Sequence, residues 1–443
     1  MAETGLSRNS AFDRLFQGQV LDPAWSFAHL TQKDTNYLTH GYHRYPAKFI
    51  PQLAAALIEA YSRAGEWVLD PFMGSGTTLV EAKRLGRPSV GIDINPVAHL
   101  IARAKVRAID PLVLQKAIQA LQNRLLSIRG PSLFDNMDEL FASGVPSGWP
   151  SRLRYWFRED ILLALEAIRQ AIETLSEEVR PFFWCALSHI LKAVSYWHDK
   201  SVKPIRKLSK AIPNPHEVFF RQVRRMAQGN AQFWTVLQQT GSIETYAQPY
   251  LADARSLPLA DESIDLIVTS PPYVTSYEYA DLHQLSALWF AWATDLREFR
   301  KSFIGRSQVE TPSIGSVHSP LAESIINALS ENDPRKAREV HQYFAEMYTC
   351  FREWRRVLRS GGRACIVIGN THLSGVEVQN AQVFAEQLSS LGFELEKVTL
   401  REIPNKVLPQ TRDKKTGKFA KSEKADYLAY PVEYVVVFRR VRD

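Results

Sequence analysis

Short apolar runs alternate with longer stretches of helical periodicity along most of the 443 residues. Seven of the runs read as strands: Trp67–Leu69, Ser89–Ile92, Thr245–Ala252, Ile264–Val268, Ala364–Ile368, Leu395–Leu400 and Glu433–Phe438. They are short and largely continuous in apolar character, as strands covered on both faces are. Between Val340 and Leu358 the residues Phe344, Met347, Phe351, Trp354 and Leu358 recur at helical spacing, an aromatic stripe suited to a core, and Gly361-Gly362 is expected to end that helix. Gln52–Tyr61 and Leu79–Leu85 predict shorter helices. Thr78 and Glu81 stand at capping-box spacing for the second, and Gly86 suits its C-terminal cap. Strands alternating with helices predict an α/β fold with a doubly wound, mostly parallel sheet.

Two regions break the alternation. Leu112–Leu126, Ile161–Leu175 and Phe182–Trp197 have helical periodicity and little strand character. A mainly helical insertion is therefore expected at residues 110–240, between an N-terminal part at 1–109 and a C-terminal part at 241–443. From Arg300 to Asp333 the chain is rich in Ser with scattered Pro and Gly, which predicts mobile loops.

Two strand ends carry candidate chemistry. The first runs Asp70-Pro71-Phe72-Met73-Gly74-Ser75-Gly76-Thr77-Thr78. Gly74 and Gly76 let the backbone turn tightly and approach a ligand with no Cβ in the way. Asp93 closes the next run about twenty residues further on, a position suited to hydrogen bonding ribose hydroxyls. A loop of this kind could equally serve a dinucleotide.

The second strand end is Thr269-Ser270-Pro271-Pro272-Tyr273. An amino nitrogen conjugated to a flat ring is a poor nucleophile, because its lone pair is delocalised. Acceptors for the amino hydrogens favour a more tetrahedral nitrogen. The Ser270 hydroxyl and the Pro271 carbonyl are suitable acceptors, and two consecutive prolines stiffen the turn that aims them.

Together the two strand ends resemble the signature of the S-adenosylmethionine-dependent DNA amino-methyltransferases, the N4-cytosine and N6-adenine family of the Ser-Pro-Pro-Tyr type. The Phe-x-Gly-x-Gly pattern and the Asp93-Ile94-Asn95-Pro96 sequel are similar to the methyltransferase form of the loop. The resemblance implies a Rossmann-like methyltransferase sheet, with an antiparallel edge strand made by the last two runs, and S-adenosyl-L-methionine as cofactor. It implies cofactor contacts from Asp70, Phe72, Gly74, Ser75, Gly76 and Thr77 in the loop, and from Asp93 and Ile94 after it. Pro46, Lys48 and Phe49, within the segment His43–Pro51, resemble the part that wraps the methionine end. Asp253, in the segment Ala252–Pro258, resembles the acid that reads the adenine amino group. Ser270, Pro271, Pro272 and Tyr273 are the implied catalytic set, with Tyr273 stacking on a target base turned out of the duplex. In the family's pattern a leading serine usually accompanies cytosine N4 methylation, and aspartate or asparagine adenine N6. Methylation at cytosine C5 needs a cysteine, typically after a proline, and none of Cys185, Cys350 and Cys365 follows one.

Charge adds a partner. The net +7 is modest, but Lys192–Arg225 alone carries nine basic and two acidic residues, and Arg401–Lys424 eight and three. Concentrated positive charge suits phosphate, which agrees with the double-stranded DNA substrate that the resemblance implies. Lys203, Arg206, Lys207 and Lys210, in a Pro-bounded polar stretch of the insertion, are the candidate DNA-binding residues. The scattered cysteines predict neither disulfides nor a metal site, and no secretory or membrane segment is evident, which suits the cytoplasm. The expected function is site-specific transfer of a methyl group to cytosine N4 in DNA, in a restriction–modification or related system, with a cognate endonuclease as a candidate partner. The rivals are an adenine-N6 or RNA enzyme, a nucleic-acid-binding subunit without turnover, and a dinucleotide oxidoreductase.

Overall fold

The computed structural model describes residues 15–16, 19–46, 48–129, 151–274, 279–306, 315–403, 411–412, 427–428 and 432–441. All seven runs are strands, and they pair into one sheet: β1 (Val68–Asp70), β2 (Ser89–Asp93), β3 (Ala247–Leu251), β4 (Ile264–Thr269), β5 (Leu358–Ile368), β6 (Phe393–Glu402) and β7 (Val432–Arg440). The spatial order is β3-β2-β1-β4-β5-β7-β6. The first five are parallel, and β7 lies antiparallel between β5 and β6. Strand order reverses between β1 and β4, so the crevice beyond their carboxyl ends is where a ligand binds in such a sheet.

Both faces of the sheet are covered. Alternation along β5 sends Cys365 and Val367 to one side, where they meet Leu53, Leu57 and Ile58 of α1 (Pro51–Tyr61). Ala364, Ile366 and Ile368 go to the other. There the aromatic stripe of the helix Pro334–Val357 is buried as expected, and full burial of each large apolar side chain contributes about 1.5–3 kcal/mol. β1 leads through the glycine loop into α2 (Thr77–Arg84), and β2 into α3 (Pro96–Val106), whose Asn95 cap accepts from the Val97 amide with Pro96 at the first position.

The described part of the stretch between α3 and β3 is mainly helical, with a non-helical segment at 191–214. It holds α4 (Pro111–Arg129), α5 (Glu159–Glu173), α6 (Arg180–Ile190) and α7 (Pro215–Gln239), with a short helix at Ser151–Trp156. These helices share a core with α3, where Val97, Ile101 and Ala104 meet Phe182, Phe219 and their neighbours. Asn230 of α7 bonds both backbone groups of Ile109, and Gln222 donates to the Tyr42 carbonyl.

Three local expectations are corrected. The second helix begins at Thr77 with Gly76 as its cap, so Thr78 lies inside it, and neither Thr78 nor Glu81 caps it. Glu81 is buried, accepting from Tyr37, His40 and Arg84, whereas Gly86 does follow the helix with φ +74°. Gly361 and Gly362 lie within β5, because the aromatic helix runs directly into that strand. A Cβ on Gly362 would meet the Asp265 carbonyl at 2.9 Å, which is why glycine stands there. Part of the stretch read as loops is regular: Pro320–Asn332 is a helix capped by Ser319, whose hydroxyl accepts from the Ala322 amide.

Candidate functional site

The carboxyl ends of β1, β2 and β4 open into one pocket. Lys48, Phe49, Asp70, Phe72, Gly74, Ser75, Thr77, Asp93, Ile94, Asp253, Ser270 and Pro272 line it, twelve of the sixteen residues expected for cofactor and catalysis. Gly76, Pro271 and Tyr273 adjoin these residues in sequence, and Pro46 stands two positions before Lys48, without lining the pocket. Gly76 instead supplies the turn into α2, with φ +74°.

Asp70 organises the strand ends. Its carboxylate accepts from the Thr78 hydroxyl at 2.7 Å, the Thr269 hydroxyl at 2.7 Å and the Phe72 amide at 3.1 Å. That ties β1, β4 and α2 together directly beneath Ser270. Burial pushes its pKa up to about 6. Asp93 accepts from the Gly74 amide at 2.9 Å and the Asn95 amide at 2.8 Å. Burial pushes it up to about 7, with the nearby Asp70 adding to the rise. Among the described residues no ion pair reaches Asp93, so its lone pairs are compensated only by amides. Such a carboxylate suits neutral hydroxyl donors.

At one wall Lys48 points its ammonium at three neutral acceptors, the Thr35 and His40 carbonyls and Asn36 Oδ1, and burial lowers its pKa to about 8. Asp253 is held in a fork by Arg255, which also reaches Glu346. Burial works to raise the Asp253 pKa, but Arg255 holds it below the usual range.

The Ser-Pro-Pro-Tyr turn is fixed by its surroundings. The Pro272 carbonyl accepts from the Tyr343 hydroxyl at 2.9 Å. Tyr273 packs against the core, and its hydroxyl donates to Glu433 at 2.7 Å. Glu433 in turn pairs with Arg401 at 2.6 Å. The Tyr273 hydroxyl is thereby anchored to β7 through Glu433, and the residue is half-buried.

Sequence reasoning did not single out Tyr45, Tyr279, Ser302, Phe303 and Ile304, which also line the pocket. Tyr45 stacks beside Tyr279, their rings 5.9 Å apart and inclined by 27°, and its ring covers Gly74, where a Cβ would come within 3.1 Å. Tyr45 stood inside the His43–Pro51 motif and Tyr279 six residues past Tyr273, so proximity to motifs was an available signal. Phe303 and its neighbours sat in the stretch read as loops and gave none.

The four basic candidates lie on a hairpin between α6 and α7. Lys203 and Lys207 are exposed. The Arg206 guanidinium lies over Tyr155 at 4.4 Å and Tyr196 at 5.0 Å. Lys210 departs from the expectation. Its ammonium is folded inward onto the Lys192 and Trp197 carbonyls, each at 2.9 Å, and pairs with Asp199. Its side chain is 5% exposed, and it serves as an internal brace of the hairpin. The second basic stretch, Lys406–Lys424, lies almost entirely outside the described residues. Among the described residues no helix is long and apolar enough to cross a membrane, and no group of three His, Cys, Asp or Glu could hold a metal ion.

A sheet of this order with an antiparallel seventh strand, a glycine loop after β1 and an acid after β2 defines an S-adenosylmethionine-dependent methyltransferase. The sequence profile of the N6/N4 methylase family, described as DNA methylase, matches residues 6–104 and 264–443, and the chain belongs to that family. The profile passes over the helical stretch. Type II methyltransferase M.MvaI of Kocuria varians is 30% identical over 400 residues, 85% of this chain and 86% of its own length. Type II methyltransferase M.BsoBI of Geobacillus stearothermophilus is 24% identical over 61% of this chain and 56% of its own. A solved S-adenosylmethionine-dependent methyltransferase from Methanosarcina mazei aligns over 90% of this chain and 100% of its own at 11% identity, with a TM-score of 0.30. The cofactor is S-adenosylmethionine, and the reaction is methylation of DNA.

Proposed function

We propose that the protein methylates the exocyclic N4 amino group of cytosine at a specific DNA site, as the modification half of a restriction–modification pair with a cognate endonuclease. The observation that carries the choice of base is Ser270, whose neutral hydroxyl lines the pocket where an aspartate or asparagine would accompany adenine. The names of the relatives, Type II methyltransferases, support the restriction–modification setting.

In this reading the cofactor supplies an electrophilic methyl group on its sulfonium. The Asp93 carboxylate accepts from its ribose hydroxyls, and Asp253 from its adenine amino group. Pro46, Lys48 and Phe49 enclose the methionine end, and the loop from Asp70 to Thr77, with Ile94, forms the remaining wall. The Ser270 hydroxyl and the Pro271 carbonyl accept the two amino hydrogens, so the nitrogen lone pair is freed to meet the methyl carbon in line. The Pro272 carbonyl is already engaged by Tyr343, which leaves Pro271 as the backbone acceptor of the turn. The new nitrogen–carbon bond would form as the carbon–sulfur bond breaks with its electron pair passing to sulfur, and the surplus proton would pass from nitrogen to solvent. Tyr273 stabilises the turn that aims these acceptors. The helical stretch at 110–240 supplies target recognition, its exposed Lys203 and Lys207 meeting phosphates.

The test is incubation with isotopically labelled cofactor and unmodified DNA, followed by nucleoside mass spectrometry. Labelled N4-methylcytosine is expected. Labelled N6-methyladenine overturns the base assignment, and no labelled nucleoside overturns turnover itself.

A further inference from the structure

The basic hairpin carries two side chains that phosphate contact does not use. Ile205, between the exposed Lys203 and Lys207, and Leu208, directly after Lys207, are 53% and 65% exposed. An isolated exposed aliphatic residue is ordinary. Here, however, two of them stand on a segment built for rigidity. The His198 amide donates to the Ile205 carbonyl at 2.8 Å, and the Lys207 amide to the Tyr196 carbonyl at 2.7 Å. Trp197 stacks on Trp156 with ring centres 5.4 Å apart, and its indole nitrogen donates to the Ser201 carbonyl. The Lys192 ammonium bonds the same carbonyl at 2.7 Å, Lys210 braces the base, and Arg206 is clamped over two tyrosines. A mobile polar loop would need none of this.

The hairpin also has a defined place. Lys192 lies close enough to Arg44 for their charges to oppose one another, and the Arg44 amide bonds His189 at the end of α6. Arg44 directly precedes Tyr45, which lines the pocket. The base of the hairpin is thus joined through His189 and Arg44 to the wall of the pocket, and the apolar pair shares the hairpin with exposed positive charge complementary to a duplex.

We infer that Ile205 and Leu208 are a wedge that enters the DNA stack where the target base leaves it. Turning a base out of a duplex breaks its pair and its stacking, and an apolar side chain pressed between base steps offsets that cost. The lysines hold the backbone while the aliphatic pair fills the gap, and the bracing keeps the hairpin from folding back. This inference rests on the reading of the chain as an enzyme that acts on a base in double-stranded DNA.

The experiment uses the full chain and a duplex carrying the site mapped from its own methylated DNA. A second duplex has an abasic position opposite the target, so that no pair has to be broken. Single-turnover methylation is compared for the parent, the Ile205→Ala/Leu208→Ala variant and the conservative Leu208→Met, with cofactor binding as the control for folding. The double variant is expected to lose about tenfold or more on the paired duplex and to recover to near the parent rate on the abasic one, with Leu208→Met close to parent on both. Parent-like rates on the paired duplex overturn the wedge, as does an equal loss on both duplexes. A change confined to self-association in sedimentation also overturns it, assigning the hairpin to a second copy. No methylated nucleoside from the parent on any duplex overturns the underlying reading, a different result from any of these.

Discussion

Asp93 is a half-buried carboxylate with two amide donors and a pKa raised to about 7, chiefly by desolvation, with Asp70 contributing. In the unfolded chain it titrates near the ordinary aspartate value of about 4. The cofactor-free fold therefore retains a proton that the unfolded chain has released. The contribution of Asp93 to stability is greatest at low pH and declines as pH rises through that window. Ribose hydroxyls favour the ionised carboxylate, so cofactor binding should expel the proton. Affinity for S-adenosylmethionine is expected to climb between about pH 5.5 and pH 7.5 and then level off. Asp93→Asn should flatten that climb and weaken binding by about 1.5–3 kcal/mol. Calorimetry in buffers of different ionisation enthalpy reads both the affinity and the proton, and a parent affinity independent of pH would remove Asp93 as the ribose acceptor. Ser270 is separable from this. Ser270→Ala should slow single-turnover methyl transfer by more than it weakens cofactor binding, because its partner is the target amine; equal rates for variant and parent would end its catalytic assignment. Residues such as Asp70, Asp93 and Ser270 were legible because each closes an apolar run and stands in a motif. The anchoring of the Tyr273 hydroxyl was not, since its partner Glu433 lies 160 residues away on β7.

Elements were legible where their periodicity was strong, and the connections between them where a glycine or proline announced a turn. Every strand run paired within the sheet, because strands covered on both faces must be apolar along their length. What escaped was the reason for individual glycines. Gly229 sits in the interior of α7, where replacement by alanine ordinarily gains about 1 kcal/mol of helix propensity. Here the Leu38 carbonyl approaches so closely that an added Cβ would stand 2.3 Å from its oxygen, with Tyr42 also in contact. Gly229→Ala is therefore expected to destabilise the fold by about 1–3 kcal/mol despite the better propensity. A chemical denaturation series measures it, and a neutral or stabilising result would mean that α7 does not dock so tightly on the segment leading to Tyr45. That contact could not be read from sequence, since nothing local in either segment encodes the other's approach.

At the scale of the whole molecule, the net charge of +7 conceals a division of labour among cations. Sequence shows where positive charge concentrates but not which ammonium faces water. The structure separates Lys203 and Lys207, which are exposed on the hairpin, from Lys210, whose charge is spent inside it. Releasing counterions from DNA requires the exposed kind. Lys203→Ala and Lys207→Ala should each reduce the steepness of log K against log salt by about 0.9, and should weaken specific and non-specific DNA about equally, with cofactor affinity unchanged. Lys210→Ala should behave differently. Removing it takes one donor from the Lys192 carbonyl and the ammonium from the Trp197 carbonyl, at a cost of about 1–3 kcal/mol felt as hairpin stability, while the salt slope keeps its parent value. Filter binding across a salt series, paired with thermal melts of the same three variants, distinguishes the two kinds of lysine. If Lys203→Ala and Lys207→Ala leave the slope untouched, the hairpin does not meet phosphate, and the Lys406–Lys424 stretch becomes the next surface to substitute.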